Sequence, residues 1–272
     1  IMKKKVKIIA EIGWNHMGNI NLAKKMIKSA AENGADLVKL QTWSEKNLKE
    51  GPWDLDGRRE IYKKAELNSS DYLNLKKFCQ KNKITLFTSL FNIKDFDKIK
   101  KSRFKIIKIP SHETYNLDLI RFCLAKFETV LISTGASKWS EIKKITKLQN
   151  FKKKVFLMHC VSSYPSNPNI INMPRLDKIK KLTNKIGFSG HYKGIDDALI
   201  AITMGSEYIE KHFTIDNNLP GRDNKFALLP DDMRRLCQFR DNFSDMKKYH
   251  GLDLQKNEYD IFKNYRGRWS KY

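Results

Sequence analysis

Eight short apolar runs, each followed by a longer amphipathic stretch, recur along this chain, and that alternation restricts the fold more than any other feature. The runs cover 6–11, 36–41, 85–88, 104–109, 129–133, 155–159, 185–189 and 208–213. The amphipathic stretches begin near Ile20, Ser69, Ile93, Asn116, Lys138, Arg175, Ile195 and Pro230. Strands alternating with helices form a parallel sheet. Eight such units predict closure into a (β/α)8 TIM barrel, because closure removes the sheet edges. An open doubly wound sheet is the competing arrangement, but no Gly-x-Gly-x-x-Gly follows the first run. At 272 residues the chain suits one barrel, expected over 1–246, with 247–272 as a C-terminal extension.

Two connections are long. The 27 residues between Gln41 and Ser69 include a stretch from Gly57 to Leu67 that has the pattern of a short helix. The segment 160–174 carries Pro165, Pro168 and Pro174. Both follow strands, so both are expected as walls or lids on the catalytic side.

Composition excludes several classes. No apolar run is long enough to span a membrane. The basic start Met2-Lys3-Lys4-Lys5 leads into a stretch holding Lys7 and Glu11, so it lacks the apolar region of a signal peptide. Cys79, Cys123, Cys160 and Cys237 lie far apart with no Cys-x-x-Cys, as reduced thiols of a cytoplasmic protein would. The net charge of +23 raises the question of nucleic acid. However, the basic stretches 94–108, 143–154 and 175–185 fall on helix C-terminal halves and the approaches to strands. Positive charge there complements helix C-termini and faces the bottom of a barrel. No aromatic residues are interleaved as a base-stacking platform, so no nucleic-acid partner is expected.

Barrel enzymes work at the C-terminal ends of their strands. The polar residues there include Glu11, Asn15 and His16; Lys39 and Gln41; Thr88 and Ser89; Lys108, Ser111, His112 and Glu113; Ser133 and Thr134; His159, Cys160, Ser162 and Tyr164; Ser189 and His191; Glu210 and His212. Five of the six histidines are among them. Strand alternation puts Lys39 on one face with Leu37 and Gln41, and Lys108 with Phe104 and Ile106, so both ammonium groups are expected in the mouth. There they need an anion: either a substrate, or a structural pair with Glu11, Glu113 or Glu210. His191 and His212 end adjacent strands and suit a divalent metal, or serve as hydrogen-bonding residues. Ser133-Thr134-Gly135 at a strand-to-helix turn suits phosphate. Cys160 is expected on the opposite face from His159, which argues against a thiol nucleophile.

These segments resemble the sialic-acid synthase family. The resemblance is carried by Ile9-Ala10-Glu11-Ile12-Gly13-Trp14-Asn15-His16-Met17-Gly18, Val38-Lys39-Leu40-Gln41-Thr42, Lys108-Ile109-Pro110-Ser111-His112-Glu113, Ile132-Ser133-Thr134-Gly135, His159-Cys160-Val161-Ser162-Ser163-Tyr164-Pro165, Gly187-Phe188-Ser189-Gly190-His191 and Ile209-Glu210-Lys211-His212-Phe213-Thr214, in the family's order and spacing. It implies a transferase that condenses phosphoenolpyruvate with an acceptor sugar, an N-acylated hexosamine-like aldose, to give a nonulosonic, sialic-acid-like product. It implies that Lys39, Ser89, Lys108, Ser111, Ser133, Ser162 and Ser189 hold phosphoenolpyruvate. His191 and His212 would bind a divalent metal, Mn²⁺ or Mg²⁺. Glu11, Gln41, Tyr164 and Asp223 would contact the acceptor, with Glu11 near the metal, and Glu113 would be the catalytic carboxylate. The family usually reads Ser-Asp-His where this chain has Ser189-Gly190-His191, so a carboxylate that would tune the metal is missing. Family members carry a C-terminal antifreeze-like domain that lends an arginine to the partner's sugar site. This chain stops at Tyr272, about where that domain would begin, and so reads either as a natural short form or as a truncated one. A homodimer is compatible with that arrangement. Arg58 or Arg59, beside Trp53, Asp54 and Asp56, is the expected substitute donor, unless the segment 44–67 is only a surface excursion that caps the barrel. The competing readings are a Schiff-base aldolase using Lys39 or Lys108, separable by borohydride trapping, and a non-catalytic polyanion-binding protein using the basic bottom face.

Overall fold

A computed structural model describes residues 5–269, without the Trp53 side chain; the basic start through Lys4 and the last three residues lie outside that description. Eight parallel strands close in sequence order, each pairing with the next and β8 with β1. They are β1 (Lys7–Gly13), β2 (Leu37–Thr42), β3 (Thr85–Leu90), β4 (Ile106–Ile109), β5 (Thr129–Ser133), β6 (Val155–Cys160), β7 (Ile186–Gly190) and β8 (Tyr208–His212). The expected barrel is therefore the observed one. Among the described residues, no helix is long and apolar enough to cross a membrane.

Alternation divides each strand between two cores. Outward residues such as Ile8, Ala10, Val38, Leu40, Ile107, Val130, Ile132 and Ile209 pack under the helices in one large cluster. Inward residues Ile9, Leu37, Phe87, Leu131 and Met158 form a separate apolar plug, with Ile106, Phe156 and Tyr208 packed against it. The plug fills the barrel below the mouth, so the next inward residue on each strand forms the floor of an open site.

Local signals set the helices. Asn19 caps the helix Ile20–Glu32 by accepting the Leu22 N–H, 3.0 Å away. Asn68 and Asp71 form a reciprocal capping box on Ser69–Lys81. The helix read near Ile93 is shorter than its neighbours: a 3₁₀ turn, Ile93–Phe96, runs into the single α-turn Asp97–Lys100. The long connection after β2 does contain a helix, Arg58–Ala65. It is seated on an aromatic cluster of Trp14, Trp43, Tyr62 and Phe91, and Trp43 Nε1 donates to the Tyr62 carbonyl at 2.9 Å.

Candidate active site

The floor of the mouth is a row of alternating buried charges. Lys39 Nζ stands 2.8 Å from Glu11 Oε2 and 3.8 Å from Glu210 Oε1. Lys108 Nζ donates to Glu210 Oε2 at 2.7 Å. All four side chains are buried. Strand register assembles the row: Glu11 lies opposite Lys39, Ser89 opposite Lys108, and Ser189 opposite Glu210. Short hydroxyl and amide contacts complete it. Lys39 donates to Ser89 Oγ at 2.8 Å, Ser189 Oγ to Glu210 Oε1 at 3.0 Å, and Gln41 Nε2 to Glu11 Oε1 at 2.7 Å. The structural-pair and mouth readings of the lysines thus coexist: both are inward and both are paired.

The two carboxylates differ sharply. Burial pushes Glu11 up to about 7, more than Lys39 can offset, and the Glu210 charge adds to the rise. Burial also opposes ionisation of Glu210, but Lys108 and Lys39 together outweigh it and hold that carboxyl near 2. Glu210 is therefore the fixed anion between two cations, while Glu11 is poised to exchange a proton near neutrality. Lys39 is held above its ordinary value: burial disfavours its charge, and Glu11 and Glu210 outweigh that. An amine kept protonated in this way is a poor Schiff-base nucleophile.

Beside the row is a hydroxyl-lined hollow over Gly135. A Cβ there would sit 2.5 Å from Ser162 Oγ, 2.8 Å from Ser111 Oγ and 3.1 Å from Cys160 Sγ, so only glycine leaves the hollow open. Ser133, two residues earlier at the end of β5, is buried.

The third part is a pair of imidazoles. The His191 and His212 rings are 5.4 Å apart between centroids. Tyr164, half exposed, lies over His191 at 4.0 Å. His191 Nδ1 donates to the Val161 carbonyl at 2.8 Å. Burial disfavours its charge, but Cys160 and that carbonyl outweigh burial and raise the imidazole above its ordinary value, so Nε2 offers a lone pair once its proton is displaced. Burial, reinforced by His191, keeps His212 neutral, and its buried Nδ1 lacks a hydrogen-bond partner. Asp223 Oδ2 is 3.4 Å from that nitrogen, and burial raises its carboxyl to about 6, with His191 as the main opposing influence. Among the described residues, no group of three or more His, Cys, Asp or Glu side chains forms a ready cage. The orphaned nitrogen of neutral His212, the His191 ring once deprotonated and the nearby Asp223 carboxyl fit a cation that takes its remaining ligands from water and substrate.

Glu113 sits on the rim in the 3₁₀ turn Ser111–Glu113, where Asn116 Nδ2 donates to its Oε2 at 3.1 Å. Partial burial raises its carboxyl, with Asn116 and Lys49 opposing.

Every site residue expected from sequence therefore lies at the strand ends or in the loops after them. The histidine cluster is smaller than expected. His16 Nδ1 accepts the Gly18 N–H at 3.0 Å, His112 packs against Phe91 with the rings tilted by 53°, and His159 faces outward with Nε2 2.8 Å from the Ile171 carbonyl. These three shape loops rather than the mouth. Glu210, one of the ion-pair partners open to the lysines from sequence, is the one that both meet, whereas sequence set Cys160 only against His159, on the opposite face, and missed His191. Cys160 faces inward beside His191; burial opposes its ionisation, yet His191 and Ser111 bring the thiol down to about 7. The signal for Glu210 was present, since it shares inward parity with Tyr208 and His212.

Comparison with known proteins accords with this geometry. The model of the NeuB family matches residues 26–250. The chain is 33% identical to the N,N'-diacetyllegionaminic acid synthase of Campylobacter jejuni, across 93% of this chain and 82% of that one. A pseudaminic acid synthase of the same species is 29% identical, with 86% of this chain and 72% of that one covered. Among solved structures, the N-acetylneuraminic acid synthetase of Leptospira borgpetersenii superposes with a TM-score of 0.85 at 30% identity, over 97% of this chain and 93% of that one. With the barrel, the strand-end motifs and a match over most of its length, the chain belongs to the NeuB family of sialic-acid-type synthases.

Proposed function

We propose that this chain condenses phosphoenolpyruvate with an N-acylated hexosamine-like aldose to give a nonulosonic, 3-deoxy-2-ulosonic acid and phosphate, with cleavage of the C–O bond. The observation that carries the proposal is the buried row Glu11, Lys39, Glu210, Lys108, which presents two cations beside the hydroxyl-lined hollow over Gly135. With Glu11 ionised the row balances its own charge, and protonation of Glu11 near neutrality leaves it one positive charge in excess, so a polyanion entering beside it meets ammonium groups already desolvated and fixed. Lys39, Lys108 and Ser89 take one anionic end of phosphoenolpyruvate. Ser111, Ser133, Ser162 and Ser189 orient the other. Glu11, Gln41, Tyr164 and Asp223 face the acceptor.

His191 and His212 are the residues to hold the divalent cation, Mn²⁺ or Mg²⁺, which supplies Lewis-acid polarisation of the acceptor aldehyde. The remaining work belongs to the chain. The hollow and the lysines hold phosphoenolpyruvate so that its C3 meets the aldehyde carbon. As that C–C bond forms, positive charge appears at C2, and water adds there. Glu113 removes the proton from that water. The resulting hemiketal phosphate breaks its C2–O bond, phosphate departs with the bridging oxygen, and the water oxygen remains as the ketone. We read 1–246 as the catalytic domain and 247–272 as an extension outside it.

The test is phosphate release from phosphoenolpyruvate with Mn²⁺ across a panel of N-acylated aldoses, with each product weighed by mass spectrometry. A product equal in mass to acceptor plus pyruvate is expected for at least one member. Phosphate release with no condensed product for any acceptor would overturn the proposal.

A further inference from the structure

Gly190 ends β7 at a backbone conformation outside the left-handed region, so its φ does not demand glycine. What excludes a side chain is its surroundings: Asp197 Oδ2 and the Phe188 ring occupy the space a Cβ would need. Gly190 is the register partner of Lys211 on β8, and both face the helices rather than the mouth. A carboxylate at position 190 would therefore meet Lys211, not a metal between His191 and His212. In this chain the carboxylate comes from the following helix instead.

The pairing is complete. Lys211 Nζ donates to Asp197 Oδ1 at 2.8 Å, to Asp197 Oδ2 at 2.9 Å and to the Tyr192 carbonyl at 2.8 Å. Three donors meet three acceptors, which is all an ammonium group offers. Both side chains are fully enclosed. The chain connectivity gives the contact its consequence. Tyr192 follows His191, and Lys211 precedes His212, so one ammonium group ties together the backbone beside each imidazole.

We propose that the Asp197–Lys211 pair is a positioning device that fixes the spacing of His191 and His212 from behind the sheet. Neither residue touches the mouth; the pair acts through the turn at Tyr192 and the end of β8. This rests on the reading that the two histidines hold the cation, and the two ideas are tested apart.

The double variant Asp197→Leu with Lys211→Met removes both charges together, so no unpaired charge stays buried and the barrel folds. Two backbone amides report where the histidines lie without any metal. Ser166 N–H donates to the His191 carbonyl at 3.0 Å, and Leu228 N–H to the His212 carbonyl at 2.8 Å. In metal-free protein, hydrogen exchange at Ser166 and Leu228 should be at least about tenfold faster in the variant than in wild type. Calorimetric Mn²⁺ affinity should fall about 10- to 100-fold, the range for groups that orient metal ligands. Unchanged exchange at both amides overturns the tether. Faster exchange with unchanged Mn²⁺ affinity makes the pair merely structural and overturns its positioning role. The metal reading is judged separately: it fails if His191→Ala binds Mn²⁺ as tightly as wild type. If that double variant does not fold, Asp197→Asn with Lys211→Met, which also removes both charges and keeps the shape of Asp197, takes its place under the same criteria.

Discussion

At the scale of single residues, the sequence was most readable where strand parity decides orientation. Lys39 and Lys108 were expected to point inward because Leu37 and Ile106 do, and both reach the mouth. Parity along one strand says nothing about which residue of the next strand stands alongside. For that reason parity separates Cys160 from His159, its chain neighbour, but does not show that His191, just past the end of β7, stands beside it. Glu11 gives a pH prediction whose sign follows from its environment. Its carboxyl titrates near 7 in the fold against an ordinary 4.5, so the folded state holds the extra proton between those values. Stability from this group is then full below pH 4.5 and lost as the pH rises toward 7, by about 3 kcal/mol at most. Glu210, held near 2, acts in the opposite sense and only below pH 4.5, so the two windows do not overlap. Chemical denaturation of wild type and Glu11→Gln should show wild type gaining relative to the variant at pH 5 compared with pH 8. A difference that does not change with pH would mean that Glu11 stays ionised throughout. Glu113 is tested through rate: Glu113→Gln should bind phosphoenolpyruvate normally while kcat falls about 10²- to 10⁴-fold. Near-normal turnover would move the proton transfer to Glu11.

At the scale of elements, the connection after β2 shows where sequence reading stopped. Its helix was legible from composition, but the partners of its charged residues were not. Arg58 and Arg59 were expected as donors to a sugar. Instead Arg59 pairs with Glu45 at 2.5 Å and Asp54 at 3.1 Å, and Arg58 Nε donates to Asp56 at 2.8 Å. Asp56 also meets Arg222, 3.3 Å away on the loop after β8, so the two loops are linked across the rim. A loop carrying both signs of charge satisfies its own arginines first, because local partners cost less ordering than distant ones. Arg59→Ala should therefore act by loosening this wall rather than by deleting a ligand contact. Solvent-screened surface pairs contribute little, so the acceptor KM should rise by no more than about fivefold, with the KM for phosphoenolpyruvate unchanged. Limited proteolysis within 45–57 should be faster in that variant. A much larger rise in acceptor KM with unaltered proteolysis would restore Arg59 as a direct sugar contact.

At the scale of the whole molecule, eight repeats of one pattern made the barrel legible, but the sequence did not show how its bottom is closed. That depends on Arg240, a buried arginine in the last barrel helix, Pro230–Met246. Its guanidinium pairs with Asp36, donates to Asp241 at 2.7 Å and reaches the Gly34 carbonyl at 3.3 Å. Asp36 in turn accepts the Ile8 N–H at 2.8 Å, so the final helix is tied to the turn before β2 and to β1 itself. Met233, Leu236 and Cys237 on the same helix are buried in the outer core. Beyond it the chain changes character: residues 248–269 are exposed throughout, including Leu252 and Trp269. These two facts separate two truncations. Removing 248–272 strips little buried surface and should leave Tm within about 2 °C of wild type. Removing 230–272 also takes away three core side chains and the arginine, leaving Asp36 with only Lys7 and the Ile8 amide. Losses of about 2–5 kcal/mol for each large core side chain exceed the margin of a typical domain, so that chain should not fold cooperatively. Thermal unfolding followed by circular dichroism checks both. A fall of more than about 5 °C for the shorter truncation would show that the extension packs on the barrel in solution.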